Sequence, residues 1–158
     1  MLKRVQHDGQ EAAPSSLEKP PPSIFDSVPM PPAARTLGWT LRAIDAEAGS
    51  IEVGFAAGEA FTNPTGAVQG GFVAAMLDDT MGPAAFAMGQ GEIFAPTLDL
   101  HVIFIRPARP GRFVGKGRVV NLGKSIAFLE GELFDEAGEL VARATATARV
   151  MKAARVIG

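Results

Sequence analysis

Two adjacent glycines and two adjacent carboxylates stand about two helical turns apart in a mostly apolar segment. Gly70 and Gly71 open the segment, and Asp78 and Asp79 follow near its middle. The first turn of a helix presents unpaired backbone N–H groups and the positive end of the helix dipole, so it can bind a carbonyl oxygen that becomes an oxyanion. A carboxylate in apolar surroundings is uncommon unless it is paired or functional. The spacing therefore indicates a site where a polarised carbonyl group meets the Asp78 carboxylate.

The same four residues also have a purely structural interpretation. The two glycines would then form only a turn, and the two aspartates would be the solvent-exposed corner of a half-buried helix. The residue types alone leave both interpretations open. The decision depends on the elements that carry these residues.

Hydrophobic periodicity predicts the elements around the two glycines. Residues 71–81 have helical spacing and are apolar almost all round, which predicts a buried helix. Gly82 and Pro83 are expected to end or kink it, because proline lacks the N–H donor and clashes with the preceding turn. The stretch 59–70 is rich in Gly, Pro, Asn and Thr and predicts a loop. A β-hairpin is predicted before that loop, with strands over 39–46 and 51–56.

Four strands are predicted after the helix, because the chain alternates with a period of two between turn signals. Their ranges are 97–106, 112–120, 124–134 and 140–151. Alternation in the first of them places Leu98, Leu100, Val102 and Phe104 on one face and Thr97, Asp99 and His101 on the other. The last strand has an alanine face, as a strand needs where a helix lies close against it. The order of elements predicts an α+β fold, one antiparallel sheet with a long buried helix.

Composition limits the classes of protein to consider. A length of 158 residues suits one domain. The absence of cysteine excludes disulfides and thiol nucleophiles, and two histidines far apart argue against a zinc site. A net charge of −2 argues against nucleic-acid binding. No apolar run suits a membrane span, and the first residues do not form a signal peptide, so we expect a soluble cytoplasmic protein.

Proline is concentrated near the start of the chain, with seven of 12 prolines at or before Pro32. This predicts a proline-rich tail over residues 1–36, in which a short helix between Ser23 and Ala34 could dock on the domain. The domain itself is predicted over 37–152, and residues 153–158 form a C-terminal tail.

The loop and helix resemble those of the hotdog-fold acyl-CoA thioesterases of the phenylacetate-degradation type. The family pattern has an asparagine, a glycine three residues later, a His-Gly-Gly sequence, and an aspartate seven residues after the second glycine. The matching positions here are Asn63, Gly66, Gln69, Gly70, Gly71 and Asp78. The resemblance extends over about residues 37–150 and implies a sheet wrapped around one central helix.

The resemblance implies that the protein hydrolyses an acyl-CoA thioester to a free acid and CoA. Asp78 would act as general base for water or as nucleophile, and the Gly70 amide would hold the carbonyl oxygen. Asn63 would orient the thioester or the attacking water. Thr97 falls where relatives carry a serine that helps to position water. The spacing to Gly71 favours Asp78 over Asp79 as the catalytic carboxylate.

The resemblance also implies the partners of the chain. The substrate is an acyl-CoA, no metal or other cofactor is needed, and two copies form a homodimer with shared active sites, or a dimer of such dimers. Gln69 and Gly71 would contact the substrate. An apolar pocket for the acyl group is expected from large side chains of the domain: Phe61, Phe72, Met76, Phe86, Met88 and Phe94.

Two residues depart from the family pattern. Gln69 stands where histidine is common, and glutamine can hydrogen-bond but cannot carry a proton near neutral pH. Pro83 is expected to shorten the central helix. Two alternatives to hydrolysis stay open: an acyl-thioester hydratase or dehydratase of the same fold, and a non-catalytic acyl-CoA-binding module.

Overall fold

The computed structural model describes residues 22–155, so residues 1–21 and 156–158, which include parts of both predicted tails, lie outside the described residues. Three short 3-10 helices accompany the main elements, at Ile24–Ser27, Glu59–Phe61 and Ala153–Arg155. The main elements are β1 (Thr40–Asp45), β2 (Ser50–Ala57), β3 (Ile93–Phe94), β4 (Thr97–Phe104), β5 (Gly111–Leu122), β6 (Ile126–Phe134), β7 (Leu140–Arg149), β8 (Met151–Lys152), α1 (Pro32–Thr36) and α2 (Gly70–Met88).

Six strands form one antiparallel sheet in the order β1-β2-β5-β6-β7-β4. The predicted hairpin of the first two strands and the predicted order of strands around the helix are confirmed. The short strands β3 and β8 pair in a separate two-stranded sheet that the sequence analysis did not predict. No helix among the described residues is long and apolar enough to cross a membrane.

Helix α2 lies very close to the sheet because the strands beneath it carry small residues. A Cβ atom on Gly117 would stand 2.9 Å from the backbone oxygen of Thr80, which is closer than real Cβ contacts. A Cβ atom on Gly131 would stand 3.0 Å from the Met81 side chain. The predicted alanine face of β7 is confirmed and is buried: Ala142, Ala144, Ala146 and Ala148. These small residues let the fully buried Thr80 sit directly on the sheet.

The expectation that Pro83 ends helix α2 is wrong, because the helix continues to Met88. Pro83 cannot donate to the carbonyl oxygen of Asp79, four residues earlier, as a residue with an N–H would. The buried side chain of Trp39 supplies the missing donor, since its Nε1–H donates to that oxygen at 2.9 Å. The helix therefore passes through the proline without an unpaired carbonyl at this position.

The predicted faces of β4 are partly wrong, because a β-bulge at Leu98 breaks the alternation. Thr97 is paired with Ala148 of the buried alanine face, whereas Asp99 and His101 are paired with Thr147 and Thr145. Residues paired across an antiparallel ladder point to the same side of the sheet. Thr97 therefore faces the helix, while Asp99 and His101 lie on the outer face and Leu98 is 61% exposed.

The segment before the sheet folds back onto α2. Its first turn, Ile24–Ser27, is capped by side chains: the N–H of Ser23 donates to Oδ2 of Asp26 at 2.9 Å, and the hydroxyl oxygen of Ser23 accepts from the N–H of Phe25 at 3.3 Å. The ring of Phe25 packs edge-on against Trp39 at 5.5 Å between centroids and lies 5.7 Å from the ring of Phe86. We call residues 23–31 the N-terminal segment.

The Trp39 contact generates a prediction about stability. Trp39→Phe should reduce the free energy of unfolding by about 1–3 kcal/mol, because it leaves the Asp79 carbonyl without a donor in a buried place. In a Pro83→Ala background the new backbone N–H can donate to the same oxygen, so the loss should be smaller by about 1 kcal/mol. Equilibrium urea unfolding of the four proteins measures this coupling. Equal losses in both backgrounds would contradict this account of how the helix tolerates proline.

Candidate active site

Asp78 and Thr97 meet where the middle of α2 crosses the start of β4. The hydroxyl of Thr97 donates a hydrogen bond of 2.6 Å to Oδ1 of Asp78, and both residues are half-buried. The β-bulge at Leu98 turns Thr97 toward the helix. The hydrogen bond fixes one oxygen of the carboxylate and leaves Oδ2 without a hydrogen-bond partner among residues 22–155. The pairing of these two predicted site residues is thus present within one chain.

A mainly apolar cavity of about 240 Å³ lies beside this pair. Helix α2, the start of β4 and the N-terminal segment enclose it. Asp78, Asp79 and Thr97 supply its polar side chains. Its other lining residues are Phe25, Val28, Pro29, Met30, Pro31, Ala34, Trp39, Gly82, Pro83, Phe86, Phe94 and Ala95.

The expected apolar pocket is only partly right. Phe86 and Phe94 line the cavity. Phe61 and Phe72 instead stack on each other at 4.3 Å between ring centroids, and Met76 is fully buried in the core. Sequence reasoning did not identify the N-terminal segment as a wall of the cavity. The sequence feature that could have indicated this wall is the set of apolar residues at positions 24, 25, 28 and 30.

Asp79 is perturbed by its surroundings. Burial raises its pKa from 3.8 to about 6, and the neighbouring Asp78 charge adds to the increase. Its Oδ2 is buried and accepts no hydrogen bond from the described residues. Asp78, by contrast, has the Thr97 hydroxyl as a partner. The two adjacent carboxylates therefore differ in environment although both line the cavity.

The N-terminus of α2 is capped by its own chain. Gln69 is the N-cap residue, and its Oε1 accepts a hydrogen bond of 2.7 Å from the N–H of Gly71. The N–H of Gly70 has no such partner among residues 22–155. A Cβ on Gly70 would lie 3.2 Å from the ring of Phe104, so only glycine fits here without movement of that ring. The Gly70 amide is available to a ligand, and the Gly71 amide is occupied.

Asn63 shapes the loop before the helix. Its Oδ1 accepts hydrogen bonds from the N–H of Thr65 at 2.9 Å, the hydroxyl of Thr65 at 2.7 Å and the N–H of Ala67 at 3.3 Å. Gly66 adopts the left-handed φ of 78° that this turn requires. The side-chain oxygen of Asn63 is therefore used by the loop, which leaves the NH₂ group for contact with a substrate.

The predicted site residues fall into two groups that a single chain does not bring together. Asp78 and Thr97 line the cavity, whereas Asn63, Gln69, Gly70 and Gly71 do not. Asp78 lies eight positions after Gly70 on one continuous helix, which is a rise of about 12 Å at 1.5 Å per residue. Groups that act on one carbonyl must lie within about 3–3.5 Å of the reacting atoms. One chain alone therefore does not complete the predicted site.

A second and larger depression, of about 770 Å³, lies elsewhere on the sheet and contains none of the predicted residues. Several charged side chains line it, and two of them, Glu52 and Lys116, lie 3.8 Å apart as an ion pair. It is larger than the cavity beside Asp78, but more charged residues line it, and within residues 22–155 none of them has a buried side-chain polar atom without a partner. The chemistry of the molecule therefore points to the smaller cavity.

The fold is that of a known class of hydrolases. The family model of the thioesterase superfamily matches residues 65–142, which include all of α2 together with β3, β4, β5 and β6. The chain belongs to the thioesterase superfamily and has the hotdog fold. This confirms the family and the fold that the loop and helix motif predicted.

Individual relatives agree with this assignment. The chain is 30% identical over 104 residues to a protein of Saccharolobus solfataricus that is provisionally named an esterase, with 66% of this chain and 74% of the relative covered. It is 41% identical to a phenylacetic acid degradation-related protein from Ralstonia eutropha JMP134, with a TM-score of 0.71 and coverage of 80% and 95%. A Streptococcus mutans protein, smu.793, solved with bound acetyl CoA, shares the fold at 19% identity, with a TM-score of 0.65 and coverage of 72% and 89%.

The raised pKa of Asp79 predicts a pH-dependent stability. Asp79 binds its proton more tightly in the folded than in the unfolded state, so its ionisation destabilises the fold as pH rises from about 4 to about 6, and the penalty is constant above that. Asp79→Asn should therefore match the wild type near pH 4 and be more stable at pH 7.5. The expected gain is on the order of 1 kcal/mol, discounted because solvent still reaches the carboxyl group.

Chemical denaturation of both proteins at several pH values between 4 and 8 measures this difference. Asp99→Asn, on the exposed outer face of β4, is the matched control and should show no such trend. A constant difference between Asp79→Asn and the wild type across this range would show that Asp79 is not the destabilising group.

Proposed function

We propose that the protein hydrolyses acyl-CoA thioesters and that Asp78 is its catalytic carboxylate. The observation that carries the proposal is the Asp78 carboxylate at the edge of an apolar cavity, held by the Thr97 hydroxyl at 2.6 Å. Membership of the thioesterase superfamily supports thioester hydrolysis. The acetyl CoA bound to the Streptococcus mutans relative supports CoA as the thiol part of the substrate.

The reaction needs a polarised carbonyl and a nucleophile. The Gly70 N–H would hold the thioester oxygen at the helix N-terminus, where negative charge is stabilised. Asp78 would either take a proton from the attacking water or attack the carbonyl carbon itself. Collapse of the tetrahedral intermediate breaks the C–S bond, and the CoA sulfur leaves and takes up a proton, which in the first case is the one that Asp78 took from water. In the second case the acyl group stays on Asp78 as a mixed anhydride, and water then hydrolyses it to the free acid and the carboxylate. Thr97 would orient Asp78 by its hydrogen bond throughout.

The two halves of the site come together if two copies associate through β4. This strand is an edge of the sheet and exposes large apolar side chains: Leu98 61%, Ile103 40%, Phe104 56% and, just beyond it, Ile105 42%. The opposite edge strand, β1, exposes the charged residues Arg42 and Asp45. Charge protects an edge from pairing and an apolar edge favours it, so β4 is the expected dimer edge.

Pairing of β4 with itself would place complementary halves side by side. The start of β4 carries Thr97 beside Asp78, and its end carries Phe104 beside Gly70. The strand rises about 23 Å from Thr97 to Phe104 at 3.3 Å per residue. A two-fold axis relates the start of one strand to the end of the other when two such strands pair in antiparallel fashion. The Gly70 amide of one subunit would then meet Asp78 of the partner, giving two shared sites per homodimer.

Hydrolysis is favoured over hydration among the reactions of this fold. His101, the one histidine among residues 22–155, lies on the exposed outer face of the sheet and does not line the cavity. Incubation with crotonyl-CoA separates the two reactions, since hydration removes the enoyl absorbance without releasing thiol.

The first prediction concerns the carboxylate. Asp78→Asn should lower kcat by at least about 100-fold with little change in KM, because it removes a group that acts mainly in the transition state. Thr97→Val should lower kcat less, and Thr97→Ser should retain most of it by keeping the hydroxyl. Release of CoA from a panel of acyl-CoAs, followed with a thiol-reactive dye, measures these effects. If Asp79→Asn reduced kcat more than Asp78→Asn, the choice of carboxylate would be wrong.

The second prediction concerns the shared site. Asn63→Ala and Asp78→Ala should each be nearly inactive, because each damages both sites of its own homodimer. When the two are unfolded and refolded together, half of the dimers are mixed, and each of these has one intact and one doubly damaged site. Roughly a quarter of wild-type activity should return. No recovery, with mixed dimers confirmed by native mass spectrometry, would mean that Asn63 and Asp78 act within one subunit.

A further inference from the structure

The cavity beside Asp78 has a wall that does not belong to the sheet and helix of the domain. The N-terminal segment supplies Phe25, Val28, Pro29, Met30 and Pro31 to its lining. The opposite wall is a stripe of α2 that runs from the two carboxylates through Gly82 and Pro83 to Phe86. The cavity therefore exists only where these two parts of the chain face each other.

We infer that this cavity binds the acyl group, and that Gly82 and the N-terminal segment limit its size. The inference rests on the proposed thioester hydrolysis and specifies its substrate as an uncharged, compact acyl group. Asp78 at the edge of the cavity would place the thioester carbonyl at its mouth. The acyl chain then extends away from the carboxylate, between Phe25 and Gly82.

Gly82 is where the helix leaves room for the acyl group. It lies four residues after Asp78 and so on the same face of α2. A Cβ on Gly82 would meet no atom within 4 Å, whereas a Cβ on Gly117 or Gly131 would press on the core. Glycine in a helix interior costs stability relative to alanine. No packing contact requires Gly82, and the space that it leaves belongs to the cavity.

The N-terminal segment is fixed in place. Phe25 packs against Trp39 and Phe86, and the backbone oxygen of Met30 accepts a hydrogen bond from Arg35 at 3.2 Å. The side chain of Ile24 lies against Gly91, where a Cβ would stand 2.8 Å from it. These contacts make the segment a wall of defined position and keep it close to the helix.

The volume sets an upper limit to the acyl group. A cavity of about 240 Å³ holds about eight non-hydrogen atoms, if each takes the ~30 Å³ of a liquid water molecule. A hexanoyl group or a single substituted ring fits this limit, and a dodecanoyl group exceeds it. The wild-type enzyme should therefore hydrolyse hexanoyl-CoA with a higher kcat/KM than dodecanoyl-CoA.

Gly82→Leu tests the inference, because four added carbons would fill about half of the cavity without a clash against the core. We expect kcat/KM for hexanoyl-CoA to fall at least 10-fold and that for acetyl-CoA to change less than 2-fold. Gly82→Ala should give a smaller loss of the same kind. The matched control is Gly58→Leu, since a Cβ on Gly58 also meets no atom within 4 Å but Gly58 lies outside the cavity. An equal loss for both substrates in Gly82→Leu would overturn the inference.

Phe25→Ala tests the opposite wall by enlarging the cavity. The ratio of kcat/KM for dodecanoyl-CoA to that for hexanoyl-CoA should rise at least 5-fold in this variant. A ratio unchanged from wild type in Phe25→Ala, with Phe25→Leu as the conservative comparison, would show that the N-terminal segment does not limit the acyl group.

Binding separates this inference from the proposed reaction. If the wild type released no thiol from any acyl-CoA, hydrolysis would be excluded, and calorimetric titration with the thioether S-hexyl-CoA would decide about the cavity. Binding that Gly82→Leu weakens at least 10-fold relative to Gly58→Leu would support the cavity as the acyl site. Absent binding, or equal affinity in the two variants, would overturn it.

Discussion

The close contact between α2 and the sheet determines where every other part of the site lies. Gly115 and Gly117 lie beneath Thr80 at distances that admit no Cβ atom, and a Cβ atom on Gly131 would press on the Met81 side chain at 3.0 Å. Because the glycine backbone of the strands touches the helix here, the helix cannot slide or turn on the sheet without a clash. Because Thr80 is fixed in this way, Asp78 two residues earlier is fixed as well, at the height where Thr97 can reach it.

A second long-range contact lets the helix extend beyond the turn that packs on these three glycines. Trp39 donates to the carbonyl that Pro83 leaves unpaired, and it also packs against Phe25 of the N-terminal segment. One side chain thereby links the start of the sheet, the third turn of the helix and the wall of the cavity. The last two turns of α2, which carry Phe86 into the cavity, depend on this link.

The sequence was sufficient to predict the central helix and the six strands of the main sheet, but not the short β3–β8 sheet or two departures from the regular pattern. Periodicity identified the hairpin, the central helix and the alanine face of β7, because these depend on local alternation of side chains. The predicted end of the helix was wrong, because the donor to the Asp79 carbonyl is Trp39, which lies 40 residues before Asp79 in the chain. The predicted side of the sheet for Thr97 was wrong, because the alternation of residue types does not reveal the bulge at Leu98. Of the candidate site, the motif predicted the residues, and only the structure shows that they lie in two separate groups.

The two neighbouring aspartates show how the site is maintained at a cost to the fold. Asp78 has a hydroxyl donor and an exposed side, so its charge is compensated where it would act. Asp79 has a buried oxygen without a partner, and its raised pKa reports the same desolvation. Natural sequences keep such local conflicts mainly where function requires them. The apolar walls that desolvate Asp79 are the walls that an acyl group would contact, so the destabilisation of one carboxylate and the proposed binding of substrate have a single physical origin.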